Sequence, residues 1–264
     1  MCECARPSLP RAFEKGPFHE FGPMENMKSK IVLMLAMVFA LCSLSFGQLI
    51  TNGSFEGSWL TGAYNPIYSG TAIPGWTVGN LGFNDGVHGV DLITTYWTAS
   101  NGQDSVDLSA FEAGSISQTF ATVPGASYHI TFDFSANPDS QFGITSYTME
   151  VSVTGSAAQE YSYDTSIEGN TSNLPGPGNM KWKPQYFDFV ATSTATTLTF
   201  TDTTVGAGWS GPAIDNVVGN ATSGIICHHD KGKPGAKTLV VGLDAVAAHL
   251  RLHGDTLGPC VAGN

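Results

Sequence analysis

Residues 128–134, Tyr-His-Ile-Thr-Phe-Asp-Phe, alternate apolar and polar side chains without a break. A period of two puts Tyr128, Ile130, Phe132 and Phe134 on one face of an extended chain and His129, Thr131 and Asp133 on the other, the pattern of a strand with one buried side. Similar runs recur at SVDLSA (105–110), SISQTFATV (115–123), YTMEVSVTG (147–155), YFDFVAT (186–192) and TLTFTDTT (197–204), with Gly, Pro, Asn or Asp near their ends. In the last of these Leu198 and Phe200 are expected to point inward. No helical period interrupts residues 48–219, so the chain reads as an all-β sandwich. Its roughly 170 residues suffice for a two-sheet core. Residues 170–181, NTSNLPGPGNMK, read as a long exposed loop.

The first 47 residues fit no such pattern. From Met27 they carry Lys28 and Lys30, an apolar run from Ile31 to Phe46, and small residues at Ser45 and Gly47. This is the layout of a cleavable secretory signal starting at Met27, cut after Gly47, with a run too short to span a membrane. A lipoprotein reading at Cys42 ranks second because Leu41 before it is bulky. Residues 1–26 then belong to a mis-assigned start or an untidy leader. The expected location is therefore secreted or cell-surface. From Gln48 onward six basic residues (Lys181, Lys183, Lys231, Lys233, Lys237, Arg251) face 18 of the 22 acidic ones. Such a surface repels nucleic acid and anionic membranes and suits neutral ligands or cations.

Near Ser223 the composition changes, and four of those six basic residues follow it. LDAVAAHLRLH, 243–253, is the one convincing helix, with Leu243, Val246, Ala247 and Leu250 as its apolar stripe. We expect three parts: a leader over 1–47, a sandwich over 48–223 and a small Cys/His module over 224–264. His249 and His253 stand one helical turn apart, the spacing of a shared metal, and Cys227, His228, Asp255 and Cys260 are able to approach them. Two readings stay open. Cys227 and Cys260 form a disulfide, which export favours and which helps hold a small module together, or Cys and His ligands bind zinc. The histidines remain free to take a metal even with the disulfide closed.

NGSFEG (52–57), IPGWTV (73–78), VDLITTYWTASNGQDSVDLSA (90–110), GSISQTFATVPGASYHITFDFSANP (114–138) and GWSGPAIDNVV (208–218), in that order, resemble the choice-of-anchor C family of secreted bacterial proteins. That family is related to plant cell-wall proteins of a domain-of-unknown-function family with galactose-binding-like folds. The resemblance spans residues 50–219 and implies a galactose-binding-like jelly roll, as in many carbohydrate-binding modules. It also implies a structural calcium between Glu56, after Phe55, and Asp215 on the last strand, with carbonyls near Asn52 and Gly53 and Asp107 as a third carboxylate. Against this stands the plainer reading that Glu56 caps a turn and Asp215 makes surface hydrogen bonds. The tail is similar to a short Cys-His…His-Gly-Asp-x-Leu-Gly-x-Cys module at the ends of exported bacterial proteins.

A sugar site needs aromatic platforms beside polar groups. Trp97, next to Tyr96 and close to Asn101, Gln103 and Asp104, is the first choice; Trp76, Trp182 and Trp209 are others. Core packing competes for each Trp, and Trp76 after Pro-Gly reads as core. Enzyme signals fail: GWSGP is no nucleophile elbow, and there is no HExxH, phosphate loop or nucleotide fingerprint. The expected function is non-catalytic binding of extracellular or cell-wall polysaccharide. The alternative is a structural or adhesion protein whose tail meets an anchoring partner.

Overall fold

The computed structural model describes residues 48–139, 142–172, 179–206, 208–230 and 235–260. The expected leader over 1–47, with Cys42, lies outside them, as do residues 173–178 of the 170–181 loop.

The described chain is a jelly-roll β-sandwich. One sheet has six strands: β1 (Tyr64–Ile67), β3 (Val90–Ile93), β4 (Ser105–Asp107), β6 (Ser127–Ala136), β9 (Lys183–Val190) and β11 (Pro212–Ala221), in the order β1-β3-β4-β11-β6-β9. The other has five: β2 (Thr77–Gly79), β5 (Ser115–Ala121), β7 (Ser146–Val153), β8 (Gln159–Asp164) and β10 (Ala195–Asp202), in the order β2-β5-β10-β7-β8. The strand pairings are antiparallel. A one-turn helix α1 (Thr165–Glu168) follows β8, capped by Asp164.

The alternation read from the sequence sets the faces. Tyr128, Ile130, Phe132 and Phe134 are buried, as are Leu198 and Phe200. Phe132 meets Phe200 edge-on across the two sheets at 5.2 Å, and Trp76 meets Phe200 at 6.3 Å. Each such ring removed from water stabilises by about 1.5–3 kcal/mol. Trp76 is core, as expected.

Asn52–Glu56 ties the chain's leading segment to β11. Asn52 and Phe55 both have positive φ. Phe55 is fully buried, 5.2 Å from Trp76, whose indole N–H donates to the Asn52 carbonyl at 2.8 Å. Between Asp215 and Val218, β11 carries an extra residue relative to β6, with Asn216 at φ 52°. At this bulge the Val217 N–H donates to the Gly53 carbonyl at 2.8 Å. A Cβ on Gly53 would stand 1.8 Å from the Val217 carbonyl oxygen, so only glycine allows this approach.

Beyond β11 the tail forms its own sheet. It comprises β12 (Ser223–His229), β13 (Ala236–Gly242) and β14 (Thr256–Leu257), in the order β13-β12-β14. Its helix α2 (Leu243–Ala248) is shorter than the sequence suggests and runs into a π-helical turn, His249–His253. Of the expected stripe only Val246 is buried. Cys227 and Cys260 form a disulfide. Ile225 of β12 joins the sandwich core, so the tail sheet is rooted in the sandwich.

Candidate functional site

The cross-strand register fixes what the outer side of the six-stranded sheet presents. Pro66 of β1 pairs with Asp91 of β3, Asp91 with Asp107 of β4, Asp107 with Ala213 of β11, and Asp215 with Asp133 of β6. Directly paired residues share a face, so a row of carboxylates crosses this sheet.

Glu56 and Asp215 grip one loop between them. Glu56 Oε1 accepts from the N–H groups of Gln103 and Asp104 at 2.6 and 2.9 Å. Asp215 Oδ2 accepts from the N–H groups of Ser100 and Asn101 at 2.7 and 2.8 Å, and its Oδ1 from that of Asn216 at 2.6 Å. Burial pushes Asp215 up to about 7 against the pull of these donors. Asp107 is turned elsewhere, accepting from Asn137 Nδ2 and the Ser109 N–H. The three residues expected to hold calcium thus do not gather as one ligand group; among the described residues the one grouping of three or more such ligands lies in the tail. An N–H aimed at a carboxylate oxygen keeps a cation from that side. Adding millimolar calcium to metal-free protein is therefore expected to leave the melting midpoint within about 1 °C, because a ligand stabilises only what it binds. A calorimetric scan checks this, and a clear rise would show that calcium binds here.

A pocket of about 300 Å³ opens on the same side, at the β1 edge. Its sides are Tyr64, Tyr96, Phe111 and Trp209. Tyr64, Phe111 and Trp209 are each about half exposed, and Tyr64 meets the Tyr96 ring edge-on at 5.7 Å. Asn137 and Asp139 complete the polar side, where Tyr96 donates its hydroxyl to Asp139. Asp91, 8% exposed, also lines the pocket, and its Oδ1 has no hydrogen-bond partner. Burial pushes Asp91 up to about 7. Asp107 across from it is driven well above the carboxylate range, first by burial and then by the Asp91 charge.

The expected platform divides. Tyr96 lines this pocket, but Trp97 is 1% exposed and packs with Ile93, Met180 and Ala213, donating its indole N–H to Ser105 Oγ. Trp97 is a core residue because its polar edge is satisfied inside and Met180 covers its ring. Asn101, Gln103 and Asp104 belong to the loop gripped by Glu56 and Asp215, not to the pocket. Asp91, Phe111, Asn137, Asp139 and Trp209 complete the site, and of these only Trp209 stood among the sequence candidates.

In the tail, the Nδ1 atoms of His228 and His249 both lie 2.8 Å from Asp255 Oδ2. Asp255 Oδ1 accepts from the His229 N–H at 3.0 Å. These bonds hold the Asp255 carboxyl far below the usual range although burial opposes them, and the same partner raises His228. His253 completes a triangle of rings, 5.7 Å from His228 and 5.2 Å from His249 between centroids.

A family model described as "Protein of unknown function (DUF642)" matches residues 48–219. Halomucin of Haloquadratum walsbyi is 32% identical over 199 residues, covering 71% of this chain; the chain spans 2% of that protein's length. Among solved structures, a family 35 carbohydrate-binding module from Clostridium thermocellum is 14% identical with a TM-score of 0.36, covering 59% of this chain and 97% of its own. TmCBM61, solved in complex with β-1,4-galactotriose, is 15% identical with a TM-score of 0.35, covering 66% of this chain and 99% of its own.

Proposed function

The chain belongs to the DUF642 family, and from the geometry of its outer-face pocket we propose that it is a secreted or cell-surface protein that binds extracellular or cell-wall polysaccharide without cleaving it. The observation that carries this reading is the pairing of half-exposed rings with the polar side chains of Asp91, Asn137 and Asp139 in one pocket. Sugar C–H faces lie on rings, while a carboxylate in a dry setting accepts from hydroxyl groups. The acidic surface favours a neutral glycan over an anionic one.

A glycan microarray probed with the whole chain tests this. Binding confined to a related group of neutral polysaccharides is expected. Trp209→Ala and Phe111→Ala should each weaken it by about tenfold or more at unchanged fold, since stacked rings contribute about 0.5–1.5 kcal/mol beyond the apolar area they bury. A flat response across all glycans would leave the structural or adhesion reading in its place.

A further inference from the structure

We propose that the tail holds one divalent transition-metal ion, zinc first, on His228, His249 and Asp255. The three come from separate elements: His228 from β12, His249 from the π-helical turn, and Asp255 from just before β14. One ligand atom from each lies within 4.8 Å of the other two. Both imidazole Nδ1 atoms converge on a single carboxylate oxygen, Asp255 Oδ2. That convergence is a site in which a small cation replaces the bridging protons. Imidazole nitrogens with a carboxylate oxygen suit zinc and its neighbours rather than calcium or magnesium.

A second observation points the same way. The other nitrogen of His228, Nε2, lies 3.0 Å from Asp230 Oδ1. A carboxylate on the far side of an imidazole fixes its tautomer and leaves the near nitrogen to the metal, as second carboxylates do around bound zinc. His253 stands against both other rings, 5.7 Å from His228 and 5.2 Å from His249 between centroids, and flanks the site. The sulfurs of Cys227 and Cys260 are joined to each other, so the donor set is nitrogen and oxygen alone. The helix adds little to the tail's packing, since α2 buries Val246 alone. A metal linking β12, the π-helical turn and the residue before β14 closes it, independently of any glycan bound to the sandwich.

The test uses the untagged whole chain with its disulfide intact and no reductant. Titration with zinc chloride is expected to show one site with a Kd of about 1 μM or tighter and a raised melting midpoint. Magnesium should do neither. Cobalt(II) in place of zinc should give visible d–d bands without the near-ultraviolet band of a thiolate ligand. His228→Ala and His249→Ala should each weaken zinc binding at least about 100-fold, whereas His88→Ala, outside the tail, should leave it unchanged. Where a tail variant misfolds, the cobalt spectrum of the unaltered protein decides. No zinc binding by the oxidised protein, binding that survives both tail substitutions together, or binding that appears only after the disulfide is reduced would each overturn the proposal.

Discussion

Gly53→Ala is expected to lower the melting midpoint by about 10 °C or more. The added Cβ would meet the Val217 carbonyl oxygen at 1.8 Å and its carbon at 2.8 Å. Both are backbone atoms held in the sheet, so no side chain can swing away. The leading segment must separate from the β11 bulge, breaking the bond from the Val217 N–H to the Gly53 carbonyl. Phe55 then loses its seat beside Trp76, and Glu56 loses its purchase on the 100–104 loop. Losing a buried ring alone costs about 3–5 kcal/mol, and the hydrogen bonds add to it. Gly57→Ala is the control. It sits four residues on at φ 78° with nothing within 4 Å of its would-be Cβ, so it pays only the left-handed backbone cost of about 1–2 kcal/mol. Thermal melts of the two variants side by side check this; equal losses would show that the contact with Val217 is not what holds the segment.

The alternating strands were readable because a period of two survives wherever one side of a strand is wet. β6 shows it from Ser127 to Phe134 and β10 along its length. β3 does not: all four of its residues are buried, so Asp91 carries no local sign of its setting. What makes Asp91 distinctive is register, since Pro66 and Asp107 lie beside it across two neighbouring strands. Trp97 misled for the same reason. Its polar sequence neighbours suggested a platform, but Met180, far along the chain, helps enclose it. The Glu56–Asp215 pair was legible as two carboxylates near the ends of the sandwich. Their partners are backbone N–H groups, which every non-proline residue has and which therefore leave no mark in a sequence. In the tail the histidines and Asp255 stood out by residue type, but the strands around them did not, because β12 buries three residues in a row and β13 buries none, so neither shows the period of two.

Asp91→Asn is expected to do two opposite things: stabilise the protein at pH 8 and weaken its hold on a glycan. The stability arm follows from the sign of the proton linkage. Burial raises Asp91 from 3.8 to about 7, so the folded state holds a proton that the unfolded chain releases. A group of this kind stabilises fully below its unfolded value, and that contribution is lost as the pH climbs through about 7. The unaltered protein should therefore melt higher at pH 5 than at pH 8. Several groups share this slope. Asp107 faces Asp91 from β4, and Asp202 and Asp215 are themselves pushed up to about 7 by burial. The variant removes one share of it and relieves Asp107 of a facing charge. The difference between variant and parent is expected to be near zero at pH 4 and to grow to about 2 kcal/mol in the variant's favour at pH 8. The binding arm runs the other way. An ionised carboxylate accepts from a hydroxyl more strongly than an amide oxygen does, so affinity at pH 8 should fall by about tenfold. A residue kept only to support the fold would not cost stability at the pH where it assists binding. If the asparagine variant melts lower at pH 8, burial of the charge is not what Asp91 suffers. If it melts higher and binds as tightly, Asp91 is not where the sugar docks.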